Sequence, residues 1–196
     1  EKDADEETKL INEINTGIMC IPAKWLTEAL SQLDNNNAQG EYYLTDLIAK
    51  AVNQDIEINS VTCEDEMEVA GINNRVQLAE VESYYQQLKA TELMMSGVTF
   101  RDPARVDIRG DIKAGQDITI DINVIFEGNN TIADNVSIGA NCIIINSVIH
   151  EGAEILPNSI VENAEVGTNC SVGPFARLRP GTKLAAKAKV GNFVEV

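Results

Sequence analysis

Beyond Arg101 an aliphatic or aromatic residue returns at every sixth position. Val166, Val172, Leu178, Leu184, Val190 and Val196 fall six apart without exception. Ile149, Ile155 and Val161 keep the same step upstream, as do Ile120, Phe126, Ile132, Ile138 and Ile144, while Val106, Ile112, Ile118 and Val124 run in a second phase. Ile, Leu and Val make up roughly a quarter of the chain, so six consecutive hits would arise by chance about once in a few thousand trials. Such a step is too short for a helix-pair repeat and wrong for a heptad. It fits a hexapeptide β-helix, in which each step is one short strand and one turn and three steps close a triangular coil. About five coils fit between Val106 and Val196, and at about 4.8 Å per stacked strand they make a column about 24 Å tall. The register slips by one residue between Ile144 and Ile149 and again between Val161 and Val166, as at corners. The residue after each aliphatic is usually small (Gly139, Gly167, Gly173, Ala185, Gly191), and so is the one four places on (Cys142, Cys170, Ala176, Thr182, Ala188). The aliphatic is expected to fill the prism, and its small neighbour to permit the tight corner.

The first hundred residues read differently. Ile14, Ile18, Cys20 and Ile21 form an apolar run of strand length, followed by Pro22 at a first helical position and by Trp25, Leu26, Ala29, Leu30 and Leu33 at helical spacing. DNNNAQG (Asp34–Gly40) is turn chemistry, and Thr45 is placed to cap a helix with Leu47, Ile48, Ala51 and Val52 on one face. Short strands are expected at Ile56–Ile58 and Ser60–Cys63. Strand and helix alternating in this way predict part of a Rossmann-like α/β layer over residues 1–75. Residues 76–96 contain neither Gly nor Pro and predict a helix of about six turns, its stripe of Val81, Tyr85, Leu88 and Met95 packed on a neighbour and its end at Gly97. The expected division is 1–75 for the α/β part, 76–100 for a helical arm and 101–196 for the β-helical coils.

Composition narrows the function. Fifteen Lys and Arg against thirty-one Asp and Glu give a formal net charge of −16, which repels a phosphate backbone and an anionic membrane. Nucleic-acid and membrane partners are therefore not expected. No apolar run approaches a membrane span and the acidic N-terminus is unlike a signal peptide, so the expected location is cytoplasmic. Cys20, Cys63, Cys142 and Cys170 form no C-x-x-C pair and have only His150 to join them, which points to free buried thiols and away from multi-histidine metal enzymes. His150, in an early coil, reads as a solvated corner residue. The chain starts without an initiator Met and stops in mid-pattern, so it reads as an internal fragment.

Five motifs stand in order along the chain: EINTGI (Glu13–Ile18), NNNAQGEYYLTD (Asn35–Asp46), GINNRVQL (Gly71–Leu78), RDPARVDIRG (Arg101–Gly110) and GPFARLRPG (Gly173–Gly181). Together they resemble the bifunctional UDP-N-acetylglucosamine pyrophosphorylase / glucosamine-1-phosphate N-acetyltransferase family, GlmU, across nearly the whole chain. The resemblance implies a nucleotidyltransferase domain joined by a helix to a left-handed parallel β-helix. It implies acetyl transfer from acetyl-CoA to glucosamine 1-phosphate, then uridylyl transfer from UTP to N-acetylglucosamine 1-phosphate with Mg²⁺, in a homotrimer that feeds peptidoglycan and lipopolysaccharide precursors. No catalytic residue is expected within these 196 residues, and the chain alone is expected to be inactive.

The same resemblance implies substrate-binding roles for five residues. Asn15 matches the family's sugar contact, and an amide both donates to and accepts from hydroxyls. Tyr43 and Thr45 match its sugar pocket, although Thr45 also serves as a helix cap. Asn73 matches the amide ligand of Mg²⁺, whose hard oxygen suits such an ion. Arg179 matches the arginine that holds the sugar phosphate. It also stands where the repeat calls for a small residue, and a guanidinium meets phosphate bidentately. Two alternatives remain open at this point: another sugar-1-phosphate nucleotidyltransferase with a β-helical tail, or a non-catalytic trimerisation module.

Overall fold

The computed structural model describes residues 6–196 and divides the chain into two units, Glu1–Gly71 and Ile72–Val196. In the second unit the six-residue period winds into a parallel β-solenoid of about five turns, of the left-handed β-helix type. A six-stranded sheet forms one face. An eight-stranded sheet forms the other two, because Val106–Ala114 and Val124–Ile132 run unbroken round a corner.

Stacked inward residues hold the coils in register. On the first face Phe100, Ile120, Ile138, Ile155, Val172 and Val190 are successive partners. Ile108, Phe126, Ile144, Val161 and Leu178 form the second ladder. The third is Ala114, Ile132, Ile149, Val166 and Leu184. All but Ala114 and Leu184 are buried. The second phase in the sequence has a simple origin. Strand side chains alternate, so the position two before each ladder residue also points inward. It is filled by Val106, Ile118 and Val124 in the first coils and by Cys142, Ala153, Ser159, Cys170 and Ala176 later, all buried.

The corners are turned by other residues than those expected. The left-handed conformation falls three places after the aliphatic on the first and third faces, at Asn123, Asn141, Asn158, Phe175 and Phe193 along one edge and Asp117, Asn135, Gly152, Asn169 and Lys187 along another. Asparagine tolerates this region better than most side chains. The glycine directly after the aliphatic has a steric task instead: a Cβ on Gly139 would lie 2.7 Å from Pro157 Cδ, and one on Gly167 2.5 Å from the Leu184 carbonyl oxygen. The two slips do lie at a corner, the third, where Asn146 and Asn163 adopt positive φ. There Ser147 Oγ donates to the Ile145 carbonyl oxygen at 2.7 Å and accepts from Ala164 N at 3.1 Å, while Asn130 Oδ1 accepts from Ser147 N at 3.0 Å. Among the described residues no buried side-chain polar atom lacks a partner.

The long helix, α3, spans Arg75–Met95, and the two before it are α1 (Ala23–Leu30) and α2 (Asp46–Asn53). Asn74 caps α3 by accepting from Val76 N at 2.9 Å and Gln77 N at 3.0 Å. Most of the stripe expected to pack does not: Tyr85, Leu88 and Met95 are 51%, 41% and 85% exposed, and only Val81 is half-buried. The helix meets the column through Gln86, Lys89, Ala90 and Leu93 instead, because what it covers is a strand edge with unpaired polar groups. Gln86 accepts from Ile108 N at 2.8 Å and donates to Ile108 O at 3.1 Å, as a neighbouring strand would, and Lys89 Nζ donates to Gly110 O at 2.6 Å.

In the first unit α1 and α2 appear near where spacing puts them, with Trp25 Nε1 donating to Gln54 Oε1 at 2.8 Å. The strands expected at Ile14–Ile21, Ile56–Ile58 and Ser60–Cys63 are absent among the described residues, and the Rossmann-like layer is not evident. A strand requires a paired neighbour, and here Ile14, Ile18 and Val61 are 80%, 77% and 96% exposed.

Ile144→Ala is expected to lower unfolding free energy by about 2–5 kcal/mol. Gln86→Ala should cost about 1–3 kcal/mol by orphaning the Ile108 amide groups, whereas Met95→Ala should stay within about 0.5 kcal/mol. Urea denaturation of the three variants checks the packing face, and a larger loss for Met95→Ala than for Gln86→Ala contradicts it.

Candidate functional site

The outer surface of the second face carries the strongest concentration of chemistry in the column. Ladder residues point in, so the residues on either side of each one point out. On the first of these coils they are the ion-paired Asp107 and Arg109. On the middle coils they are Ile125, Ile143, Ile145 and Ile160, all half-buried, with Glu127 among them. Beyond these they are charged again. Arg177 and Arg179 flank the buried Leu178, Glu162 lies on the preceding coil and Glu195 on the next. The pairs cross diagonally. Arg177 Nη2 donates to Glu162 Oε2 at 3.3 Å, and Arg179 Nε lies 3.3 Å from Glu195 Oε1. Arg179 is 63% exposed and its carboxylate partner 52%, so this pair is worth about 0–1 kcal/mol and yields readily to a competing anion.

The pattern argument for Arg179 changes with the structure. The residues after the aliphatic on this face are Arg109, Glu127, Ile145, Glu162 and Arg179, none of them small. Small residues belong to that position on the third face, at Gly115, Ala133, Gly167 and Ala185, and in part on the first. Arg179 therefore breaks no rule of its own face. What marks it is the exposed, loosely held guanidinium. Glu162 and Glu195 went unread in the sequence, though charged residues on both sides of Leu178 were the available signal.

The other sites expected from the sequence are dispersed. Asn15, Tyr43 and Thr45 lie in the first unit, Asn73 and Arg179 in the second. Asn15 is exposed and its Oδ1 accepts from Gly17 N at 2.7 Å, a local turn bond. Tyr43 is half-buried and its hydroxyl accepts from Gln39 Nε2 at 2.9 Å. Thr45 occupies the N-cap of α2 with helical φ and ψ and makes no side-chain capping bond. Asn73 precedes the cap of α3, its N–H donating to Gln77 Oε1 at 2.8 Å. Its exposed amide oxygen is a hard donor, but a magnesium site needs several. The described residues hold no group of three His, Cys, Asp or Glu able to bind a metal, so they do not make up such a site by themselves.

All four cysteines are free, but only Cys142 and Cys170 are buried; Cys63 is half-buried and Cys20 exposed. Burial pushes the Cys142 thiol up to about 11. His150 is also more than a solvated corner. Its Nε2 lies 3.0 Å from Glu165 Oε1, and Lys183 Nζ lies 3.3 Å from the other oxygen, which together hold the Glu165 carboxyl below its usual range. A groove of about 690 Å³ runs between α3 and the first coils beside Arg105 and Arg109, away from Arg179. No helix of the described residues is long and apolar enough to cross a membrane.

A family model described as the GMPPB C-terminal domain matches residues 108–196, the β-helical part. The whole chain is 50% identical over 195 residues to a protein of Marinobacter nauticus named "Bifunctional protein GlmU", and 53% identical over 195 residues to proteins of the same name in Acinetobacter baylyi and Acinetobacter baumannii. Along its whole length the chain is similar to these proteins named GlmU. It spans 43% of the length of each of these relatives. Identity at that level extends over both units and not over the solenoid alone.

At pH 8 an alkylating reagent is expected to modify Cys20 in the folded chain within minutes and Cys142 and Cys170 only on unfolding. Mass spectrometry of the labelled peptides reads this directly, and rapid labelling of Cys142 contradicts the packing.

Proposed function

We propose that this chain is part of a bifunctional transferase of the GlmU type, which acetylates glucosamine 1-phosphate with acetyl-CoA and then transfers uridylyl from UTP to N-acetylglucosamine 1-phosphate. The product, UDP-N-acetylglucosamine, serves peptidoglycan and lipopolysaccharide precursors, and the enzyme works in the cytoplasm as a homotrimer. The observation that carries the reading is whole-chain identity of about half to proteins named GlmU, together with an exposed arginine in RLRPG on a β-helical face. The domain roles follow as 1–75 for the end of the nucleotidyltransferase domain, 76–100 for the helical arm and 101–196 for acetyltransferase coils. Ile125, Ile143, Ile145 and Ile160 form an apolar patch on an outer face that is charged around it, which supports side-by-side assembly.

In this reading Arg179 takes the sugar phosphate. Its surface pair with Glu195 opens, and the planar guanidinium exchanges a carboxylate for a phosphate with two parallel N–H donors. The phosphate is thereby fixed at one end of the sugar, which orients the amine for acylation. In the nucleotidyl half, Asn15, Tyr43 and Thr45 contact the N-acetylglucosamine moiety. Asn73 would give one oxygen ligand to a Mg²⁺ ion whose other ligands the described residues do not provide, and such an ion would neutralise charge on the phosphates.

In the full-length protein, Arg179→Ala is expected to cut acetyl-transfer kcat/KM by about 10- to 100-fold, the worth of a lost charge-assisted bond of about 1.5–3 kcal/mol. Uridylyl transfer should be unchanged, and Arg179→Lys should recover part of the loss. Asn73→Ala should do the reverse, weakening uridylyl transfer and sparing acetylation. Steady-state assays of both reactions check this; equal losses in both, or intact acetylation by Arg179→Ala, contradict it.

A further inference from the structure

Two adjacent asparagines precede α3, and they are engaged differently. Asn74 is the cap: its Oδ1 accepts from Val76 N at 2.9 Å and from Gln77 N at 3.0 Å, so its acceptor is occupied. The side-chain amide of Asn73 is exposed and has no hydrogen-bond partner among the described residues. Gln77, the third residue of the helix, decides how Asn73 is held. In a capping box the side chain at that position reaches back to the N–H of the cap itself. Here Gln77 Oε1 reaches one residue further and accepts from Asn73 N at 2.8 Å. The bond extends the order of the helix to the residue whose side chain is left available.

That anchor matters because of where Asn73 stands in the chain. The division between the two units falls between Gly71 and Ile72, so Asn73 lies two residues beyond it. Further along, α3 is tied to the column through Gln86 and Lys89. The bond from Gln77 brings Asn73 into that tethered helix. An oxygen ligand on a loose backbone must be ordered when its ion binds, and the conformational entropy lost weakens the binding. One held in place beforehand avoids that cost.

We propose that Gln77 is a positioning residue for the metal-dependent half of the reaction: by fixing the Asn73 backbone to the first turn of α3, it pre-sets the Asn73 side-chain oxygen for Mg²⁺. The inference rests on the reading of Asn73 as a ligand of that ion. Gln77 touches neither the ion nor the substrate and acts through Asn73 alone.

The test compares two substitutions in the full-length protein. Gln77→Met keeps the length and helix propensity of the side chain and removes the acceptor, whereas Gln77→Glu keeps an acceptor. Gln77→Met is expected to raise the Mg²⁺ concentration for half-maximal uridylyl transfer about fivefold, with kcat at saturating Mg²⁺ changed less than twofold and acetyl transfer unchanged. Gln77→Glu should stay within twofold of the parent. Without metal, hydrogen exchange of the Asn73 amide, read by mass spectrometry, should be about tenfold faster in Gln77→Met than in the parent or in Gln77→Glu. A parent-like Mg²⁺ dependence or parent-like Asn73 exchange in Gln77→Met overturns the proposal, as does a Gln77→Glu variant as impaired as Gln77→Met. A loss of both activities without a change in Mg²⁺ dependence also overturns it, since that is the signature of a merely structural bond. If Asn73→Ala leaves the Mg²⁺ dependence unaltered, what fails is the assignment of Asn73; if Asn73→Ala changes it and Gln77→Met does not, what fails is the role of Gln77.

Discussion

Each coil of the column rests on one repeated contact, an inward aliphatic or aromatic side chain seated on its counterpart one coil earlier. Burying such a side chain is worth about 1.5–3 kcal/mol, and the ladders Ile120–Ile138–Ile155, Phe126–Ile144–Val161 and Ile132–Ile149–Val166 repeat it on three faces. The contact also fixes direction. With Leu178 held inward, Arg177 and Arg179 have no choice but to face out. A slip of one residue would bury both guanidiniums and expose Leu178, at a cost no surface ion pair recovers. The outward placement of the two arginines is in this sense a by-product of the core packing beneath them.

A stacked column has an exposed edge at its first coil, and the long helix answers it with polar groups. Gln86 presents one acceptor and one donor to the amide of Ile108, and Lys89 presents a donor to Gly110. A hydrophobic stripe would have left those backbone groups unsatisfied. Along the edge between the first two faces, Asn123 donates to Asn141 and Asn141 to Asn158 through their side-chain amides, at 2.9 and 3.1 Å. That ladder gives way to the stacked rings of Phe175 and Phe193, 5.2 Å apart, where bulky residues take a backbone region usually left to Asn and Gly.

The column was legible in the sequence because its period is a direct image of its geometry: one ladder residue per strand and one strand per six residues. The second phase was visible too, although its meaning as a second inward position required the alternation of a strand to be counted. What spacing could not convey was which face a residue belongs to. Arg179 is anomalous only against glycines drawn from other faces, and the pairing of Glu162 and Glu195 with the two arginines exists only between coils, fifteen and sixteen residues apart in sequence. The helix spanning Arg75–Met95 was evident from an unbroken run without Gly or Pro, but its packing side was misread, since apolar spacing cannot report a partner that wants hydrogen bonds. The strands expected near Ile14 and Ser60 failed for a related reason. A strand is a property of two segments, and local alternation describes only one.

Amide hydrogen exchange by mass spectrometry tests most directly the claim that the stacked ladders carry the stability of the chain. Peptides covering Ile132–Ile149 and Ile155–Val172 are expected to exchange at least a hundredfold more slowly than those covering Ile56–Cys63, whose backbone has no strand partner among the described residues. Comparable protection in the two regions would contradict the account, and with it the inference that the outward placement of Arg177 and Arg179 is set by what lies beneath them.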